Sequence, residues 1–185
     1  KYAEKQGGIN MDQKKIRLMA MTGVMAAMIF IATAYLHVNT NAGYTHFGDG
    51  LIFLSASILP TPYAIAAAAI GAGLADVVSM PIWAPGTIII KAVTVLFFTS
   101  KKDTILCKRN ILALIPSLAM CICGYSLYEA FVMIGFSFAA IAKAFASTPA
   151  YCVQIAGSSV LFIVLGKAFD KIKLKERFGF IKQTA

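Results

Sequence analysis

The feature that most constrains this chain is a succession of long, almost uncharged apolar runs. The first, from about Ile16 to Leu36, carries no charge after Arg17. That is close to the ~20 residues a helix needs to cross a bilayer. The runs are continuous, not alternating, which argues against a membrane barrel. Of the 185 residues, 59% are hydrophobic and 14% charged, where a soluble domain carries roughly 25% charged residues. The chain therefore reads as an all-α membrane protein.

Punctuation divides it into six predicted transmembrane helices. They cover about Ile16 to Leu36, Gly48 to Leu59, Tyr63 to Ser79, Thr87 to Ser100, Ile111 to Ile134 and Pro149 to Ile172. The short second helix stops at Pro60-Thr61-Pro62, because proline lacks a donor and fixes the backbone. "MPIWAPG" (Met80 to Gly86) reads as a tight loop, and Gly135 to Ser147 as a looser segment. Basic residues test the count. Five precede the first helix, four lie between Lys101 and Arg109, and six lie from Lys167 to Lys182. With six helices all three clusters share one side, which the positive-inside rule makes cytoplasmic, with both termini. The membrane domain is then 11–175, followed by a basic cytoplasmic tail, 176–185. Residues 1–10 read as a tag remnant or disordered tail ahead of Met11. The Ala32-Thr33-Ala34 stretch imitates a signal-peptide site, but the run is long enough to span and more spans follow.

A net charge of +9 in a soluble protein would suggest nucleic acid. Here the basic residues flank apolar runs, so they report orientation. Cys121 and Cys123 form C-x-C inside an apolar run without a histidine partner, so they read as buried thiols and not a metal site. No Walker A, G-x-S-x-G or H-E-x-x-H pattern is present. The chain carries no ATPase motif of its own, and no cofactor is implied.

Charged groups at mid-membrane cost at least about 2.5–3.5 kcal/mol each and usually mark sites. Asp49, Asp76, Lys91, Glu129 and Gln154 come from five different predicted helices. At 1.5 Å per residue all five fall within roughly 10 Å of the outer surface. The opposite halves of the helices hold almost nothing comparable. Tyr44, His46, Trp83, Tyr125, Tyr128 and Tyr151 share the outer level. Apolar and aromatic walls with a few convergent polar groups describe a small-molecule pocket. The simpler reading is a salt-bridge cluster, with Lys91 neutralising Asp76 or Glu129, plus an interfacial aromatic belt.

The octet "GYTHFGDG" (Gly43 to Gly50) lies on the same side. It reads as a hinged lid: Gly43 and Gly48 give freedom, Tyr44 and His46 touch ligand, and Asp49 is the anchor. The alternative is a plain loop whose Asp49 caps the next helix. In the first helix Ala20, Gly23, Ala26 and Ala27 give small-residue spacings that allow close helix approach, either within the chain or to a partner.

These residues carry a family resemblance. The small-residue first helix, "HFGDG", "GLADVVSMPIWAPGTIIIKAVT" and "STPAYCVQIAGS" together resemble the substrate-binding S component of energy-coupling factor (ECF) vitamin transporters, riboflavin-type group, over about Lys14 to Lys173. The resemblance implies a six-helix protein of the bacterial plasma membrane that binds a water-soluble vitamin or precursor near the outer face, with the first loop as cap. It implies a transmembrane coupling subunit and two cytoplasmic ATPases as partners. Phe47-Gly48-Asp49 matches the family's apolar-Gly-Asp at the start of the second helix, and Lys91 and Gln154 match polar positions in its fourth and sixth helices. Gly23 and Ala27 match the coupling face, where the family's A-x-x-x-A appears as G-x-x-x-A. Three acidic groups against one lysine suit a neutral or weakly basic heterocycle, pyridoxine-like or hydroxymethylpyrimidine-like, with riboflavin behind. Two other readings are a stand-alone secondary carrier and, remotely, an intramembrane aspartyl protease using Asp49 and Asp76.

Overall fold

The computed structural model describes residues 2–40, 43–135 and 137–178, with side chains from residue 13 onward except those of 39, 40, 43 and 44. In chain order the elements are α1 (Tyr2–Ala34), β1 (His37–Thr40), β2 (Gly43–His46), α2 (Gly48–Ile58), α3 (Thr61–Ser79) and α4 (Ala84–Val95). They continue with α5 (Lys108–Leu112), α6 (Leu114–Tyr128), α7 (Phe138–Phe145), α8 (Thr148–Lys171) and α9 (Leu174–Arg177). A 3-10 turn, Pro81–Trp83, leads into α4, and a π-helical turn, Glu129–Ile134, extends α6.

Proline sets several boundaries. α2 ends with Leu59 extended (φ −85°, ψ 149°), as a residue before proline prefers. α3, α4 and α8 each carry proline in their first turn, where its missing N–H costs nothing. "MPIWAPG" is thus less a loop than a helix start, and Gly135 to Ser147 contains α7 instead of a loose segment. Four stretches are long and apolar enough to cross a membrane: Gln13–Ala34, Thr61–Ser79, Lys108–Ile134 and Phe138–Lys171. Gly48–Ile58 and Pro81–Val95 are shorter apolar helices.

The helices close into a ring: α1 packs on α3, α3 on α4, α4 on α6, α6 on α8, α8 on α2, and α2 back on α1. α2 also touches α3 and α4, and all eleven of its residues are buried. A helix enclosed on every side needs no polar face, which is why "GDGLIFLSASI" shows no amphipathic pattern. The surface is inverted relative to a soluble protein. Ile16, Val78, Ile115, Val160 and Phe138 are among the most exposed side chains, while Ser55, Thr94, Ser117 and Ser126 are buried. Several buried hydroxyls bond back along their own helices: Ser57 Oγ donates to Phe53 O (2.8 Å), Thr94 Oγ1 to Ile90 O (2.8 Å) and Ser117 Oγ to Ala113 O (2.7 Å). This is how a chain in hydrocarbon disposes of polar groups.

Small residues bring helices into contact. A Cβ at Gly71 would meet Ala26 O at 2.6 Å, and one at Gly73 would meet Ile88 Cγ1 at 2.6 Å. The small-residue stripe of α1 therefore splits. Ala26 is buried against α3, while Ala20, Gly23 and Ala27 stay exposed. Gly23, Ala26 and Ala27 line an apolar groove of about 680 Å³ between α1 and α3, together with Phe30, Tyr63 and Ile70.

A second polar cluster lies at the end of the bundle where the basic segments meet. The Asp170 carboxylate accepts from Ile105 N–H (2.7 Å) and Leu106 N–H (3.0 Å). Lys175 Nζ donates to Ser100 O (3.0 Å) and Lys102 O (2.6 Å), and Asn110 ties Thr99 to Ile105. Asn110 and Lys175 lie just outside the helices predicted from the sequence, yet both are buried, and the connection after α4 is built on them.

Candidate functional site

The site grows from the N-terminus of α2. The chain leaves α1, forms the β1–β2 hairpin with Val38 opposite Thr45 and His37 opposite His46, and enters α2 at Gly48. Gly48 is glycine for space and not for hinge freedom: a side chain there would run into Thr33 Oγ1, and its φ is not positive. His46 Nδ1 accepts a hydrogen bond from Gly48 N–H at 3.2 Å, which satisfies one of the free amides at the helix start. Asp49 is thereby released from capping, and Phe47 at the cap position makes no side-chain bond.

Asp49 points instead into the bundle. Its Oδ1 lies 2.6 Å from Lys91 Nζ of α4, and its Oδ2 accepts from Gln154 Nε2 of α8 at 2.7 Å. The side chains of Asp49 and Lys91 are 1% and 2% exposed, so the pair is fully desolvated. Breaking such a pair costs far more than forming it stabilises. Three helices are joined by one charge-neutral node. Lys91 pairs with Asp49 and not with Asp76 or Glu129. With both Asp49 oxygens engaged, a proton-sharing dyad with Asp76 loses its basis.

Aromatic rings cover the node. Lys91 Nζ sits 5.0 Å from the Tyr125 ring centroid, a cation–π distance. Tyr125 stacks on Tyr151 (5.7 Å, 19° between planes) and meets Trp83 edge-on (5.7 Å, 71°). Trp83 also faces Tyr128 at 5.8 Å, and Tyr128 donates to Ile82 O at 2.7 Å. Thr87 Oγ1 and Tyr125 Oη share a hydrogen bond of 3.0 Å. Gly86 makes this possible, since a Cβ there would press into the Tyr128 ring at 2.7 Å.

The remaining candidates divide. Asp76 is buried on α3. Glu129 stands at the start of the π-helical turn and has a buried oxygen, Oε2, without a hydrogen-bond partner among the described residues. π-turns frequently mark functional positions. The Tyr44 side chain lies outside the described residues. Asp49, Lys91, Gln154, Trp83 and Tyr125 come together with His46 beside them. Thr87 was not foreseen, because a threonine in an apolar run gives no signal until the tyrosine facing it is known. Among the described residues no group of three metal-ligating side chains forms.

His46 is 5% exposed, and burial lowers its pKa to about 4, with nearby Lys91 and His37 acting in the same direction and Asp49 against it.

Comparison with curated proteins gives no significant match. The family described as "ECF-type riboflavin transporter, S component" matches residues 13–171, from the start of the first apolar run to the end of α8. Its members are substrate-binding subunits of vitamin transporters, not enzymes. This chain belongs to the family of ECF-type riboflavin transporter S components.

Proposed function

We propose that the protein captures a neutral, flat nitrogen heterocycle of vitamin type at the hairpin end of the bundle and delivers it for ATP-driven uptake by an ECF module. The observation that carries this is the aromatic group Trp83, Tyr125, Tyr128 and Tyr151 lying over a buried node whose charges cancel. Rings offer stacking surfaces. A node with no spare charge favours a neutral ligand, and the Glu129 Oε2 acceptor suits an N–H or O–H donor. Asp49, Lys91 and Gln154 then shape the floor of the site, with Asp76, Trp83, Tyr125 and His46 around it.

Two ligand classes follow from different grounds. The residue chemistry leans to a single ring, pyridoxine-like or hydroxymethylpyrimidine-like; the family description favours riboflavin. Denaturing the purified protein and identifying the released small molecule by mass spectrometry decides between them. Near-stoichiometric release of one such compound is the expected result, and an empty protein from vitamin-rich medium argues against the reading. Glu129→Gln then weakens binding of that compound by about tenfold, one lost charged hydrogen bond.

Six membrane crossings with both termini cytoplasmic complete the proposal. It is supported by contacts among the three basic segments: Arg17 Nη1 donates to Phe178 O (3.2 Å), and Lys175 reaches the 100–102 stretch. The open groove between α1 and α3 is the proposed seat of the coupling subunit. Gly23→Leu or Ala27→Leu fills it, so uptake by the assembled transporter falls while ligand binding by the isolated protein persists.

A further inference from the structure

A second groove lies at the basic end of the bundle. It measures about 590 Å³ and runs between the end of α4 and the face of α5 and α6, with Leu96 and Phe97 on one side and Lys108, Arg109, Leu112 and Pro116 on the other. We infer that this groove holds one acidic phospholipid, with an acyl chain on its apolar walls and the phosphate on Lys108 and Arg109.

The sequence lays the groove out along the membrane normal. Lys108, Leu112 and Pro116 recur every fourth residue, so they share one helix face. Ala113, between α5 and α6, keeps helical dihedrals (φ −63°, ψ −18°) and lets that face continue. The two cations open the apolar stretch Lys108–Ile134, where a span enters the headgroup layer. Pro116 lies seven residues beyond Arg109, about 10 Å deeper. Leu96 and Leu112 are exposed, and hydrocarbon is what they meet at that depth. The groove is thus charged at its mouth and apolar below, the same polarity as a phospholipid. The groove between α1 and α3 has no such mouth, since no charged residue lines it.

Charge selects the headgroup. Arg109 Nε donates to Phe97 O at 3.4 Å, which holds the guanidinium at the groove and leaves its terminal nitrogens without a hydrogen bond among the described residues. A planar guanidinium fork suits phosphate oxygens. Among the described residues neither Lys108 nor Arg109 forms an ion pair with a carboxylate. The clasp acid Asp170 gives its oxygens to Ile105 and Leu106 N–H. A zwitterionic lipid would set its own ammonium against these two cations, so an anionic diester is favoured. The inference needs only that the chain lies in a bilayer.

The test titrates palmitoyl-oleoyl phosphatidylglycerol, or phosphatidylcholine with the same chains, into the full-length protein in detergent, with bound lipid counted by native mass spectrometry. One phosphatidylglycerol should bind in preference. Its affinity should fall about fivefold in Lys108→Gln or Arg109→Gln and about 30-fold in the double variant. Lys101→Gln with Lys102→Gln removes the same charge outside the groove and should leave affinity unchanged. Without lipid the Lys108/Arg109 double variant should unfold like the parent; phosphatidylglycerol should then stabilise the parent more than the variant. A phosphatidylglycerol carrying a photoreactive acyl chain should label 96–97 and 108–116. Equal binding of phosphatidylcholine, competition by glycerol phosphate at lipid-like concentrations, an equal loss in the Lys101/Lys102 variant, or labelling confined to other segments overturns the inference. So does a groove that takes up no lipid and crosslinks to a coupling subunit instead. None of these results bears on the vitamin site at the hairpin end.

Discussion

The two ends of the bundle use the same kinds of residue for opposite purposes. At the hairpin end Asp49, Lys91 and Gln154 bond to one another across α2, α4 and α8. At the basic end Asp170, Lys175 and Asn110 bond to the backbone of the connection between α4 and α5. The first arrangement fixes helices relative to each other in a dry interior. The second gives a turning chain the partners that regular structure would otherwise supply. An acidic residue near a helix end therefore says little about function until its partner is known: side chain in one case, peptide group in the other.

That contrast can be broken experimentally. The largest effect is expected for Lys91→Met, which strands a buried carboxylate: a loss of ~3–5 kcal/mol, read from unfolding in detergent micelles. The double variant Asp49→Asn with Lys91→Met should recover most of it, since the charges leave together. A double-variant loss equal to the sum of the two single-variant losses would show that the two residues act independently. Next comes Asp170→Ala, which leaves the Ile105 and Leu106 amides without acceptor and costs ~2–4 kcal/mol. Protease nicking in the 99–107 stretch should rise with it, whereas Lys91→Met should not direct cleavage there. If both variants open the same stretch, the ends are coupled and the comparison is too simple. Gly71→Ala, at the uncharged seam between α1 and α3, forces a methyl against Ala26 O and costs ~1–3 kcal/mol, without altering either polar cluster. The smallest effect is expected for Glu176→Gln. Its pair with Lys173 spans 3.4 Å at 45% and 70% side-chain exposure, and such surface pairs are worth less than about 0.5 kcal/mol.

Much of this was legible in the residues. Apolar run length and the three basic clusters gave the helical membrane class, and the cost of intramembrane charge singled out Asp49, Lys91 and Gln154. Pairing was not legible: the sequence offered Asp76 or Glu129 as the partner of Lys91, and helix packing chose Asp49 instead. The hairpin was missed because "HVNT" and "GYTH" are too short for an alternating pattern to register, and their pairing is decided by where α1 ends and α2 begins. The role of Gly48 was misread for a related reason. Glycine before a helix suggests freedom, but the neighbouring Thr33 belongs to another element. The clasp at the basic end was overlooked because Asn110, Asp170 and Lys175 sit in charged stretches, where a solvated side chain is the ordinary expectation.

What the sequence determined by itself was the solvent. A chain with these runs must lie in a bilayer as helices, since only intrahelical bonding satisfies its backbone there. What only the tertiary structure decided was which polar groups meet. A buried charge must find an opposite charge or a peptide group, and both candidates were present many times over. The choice depends on angstrom-scale approaches, such as α3 against α1 at Gly71 and Thr33 against Gly48, that bring certain helix faces together and hold others apart.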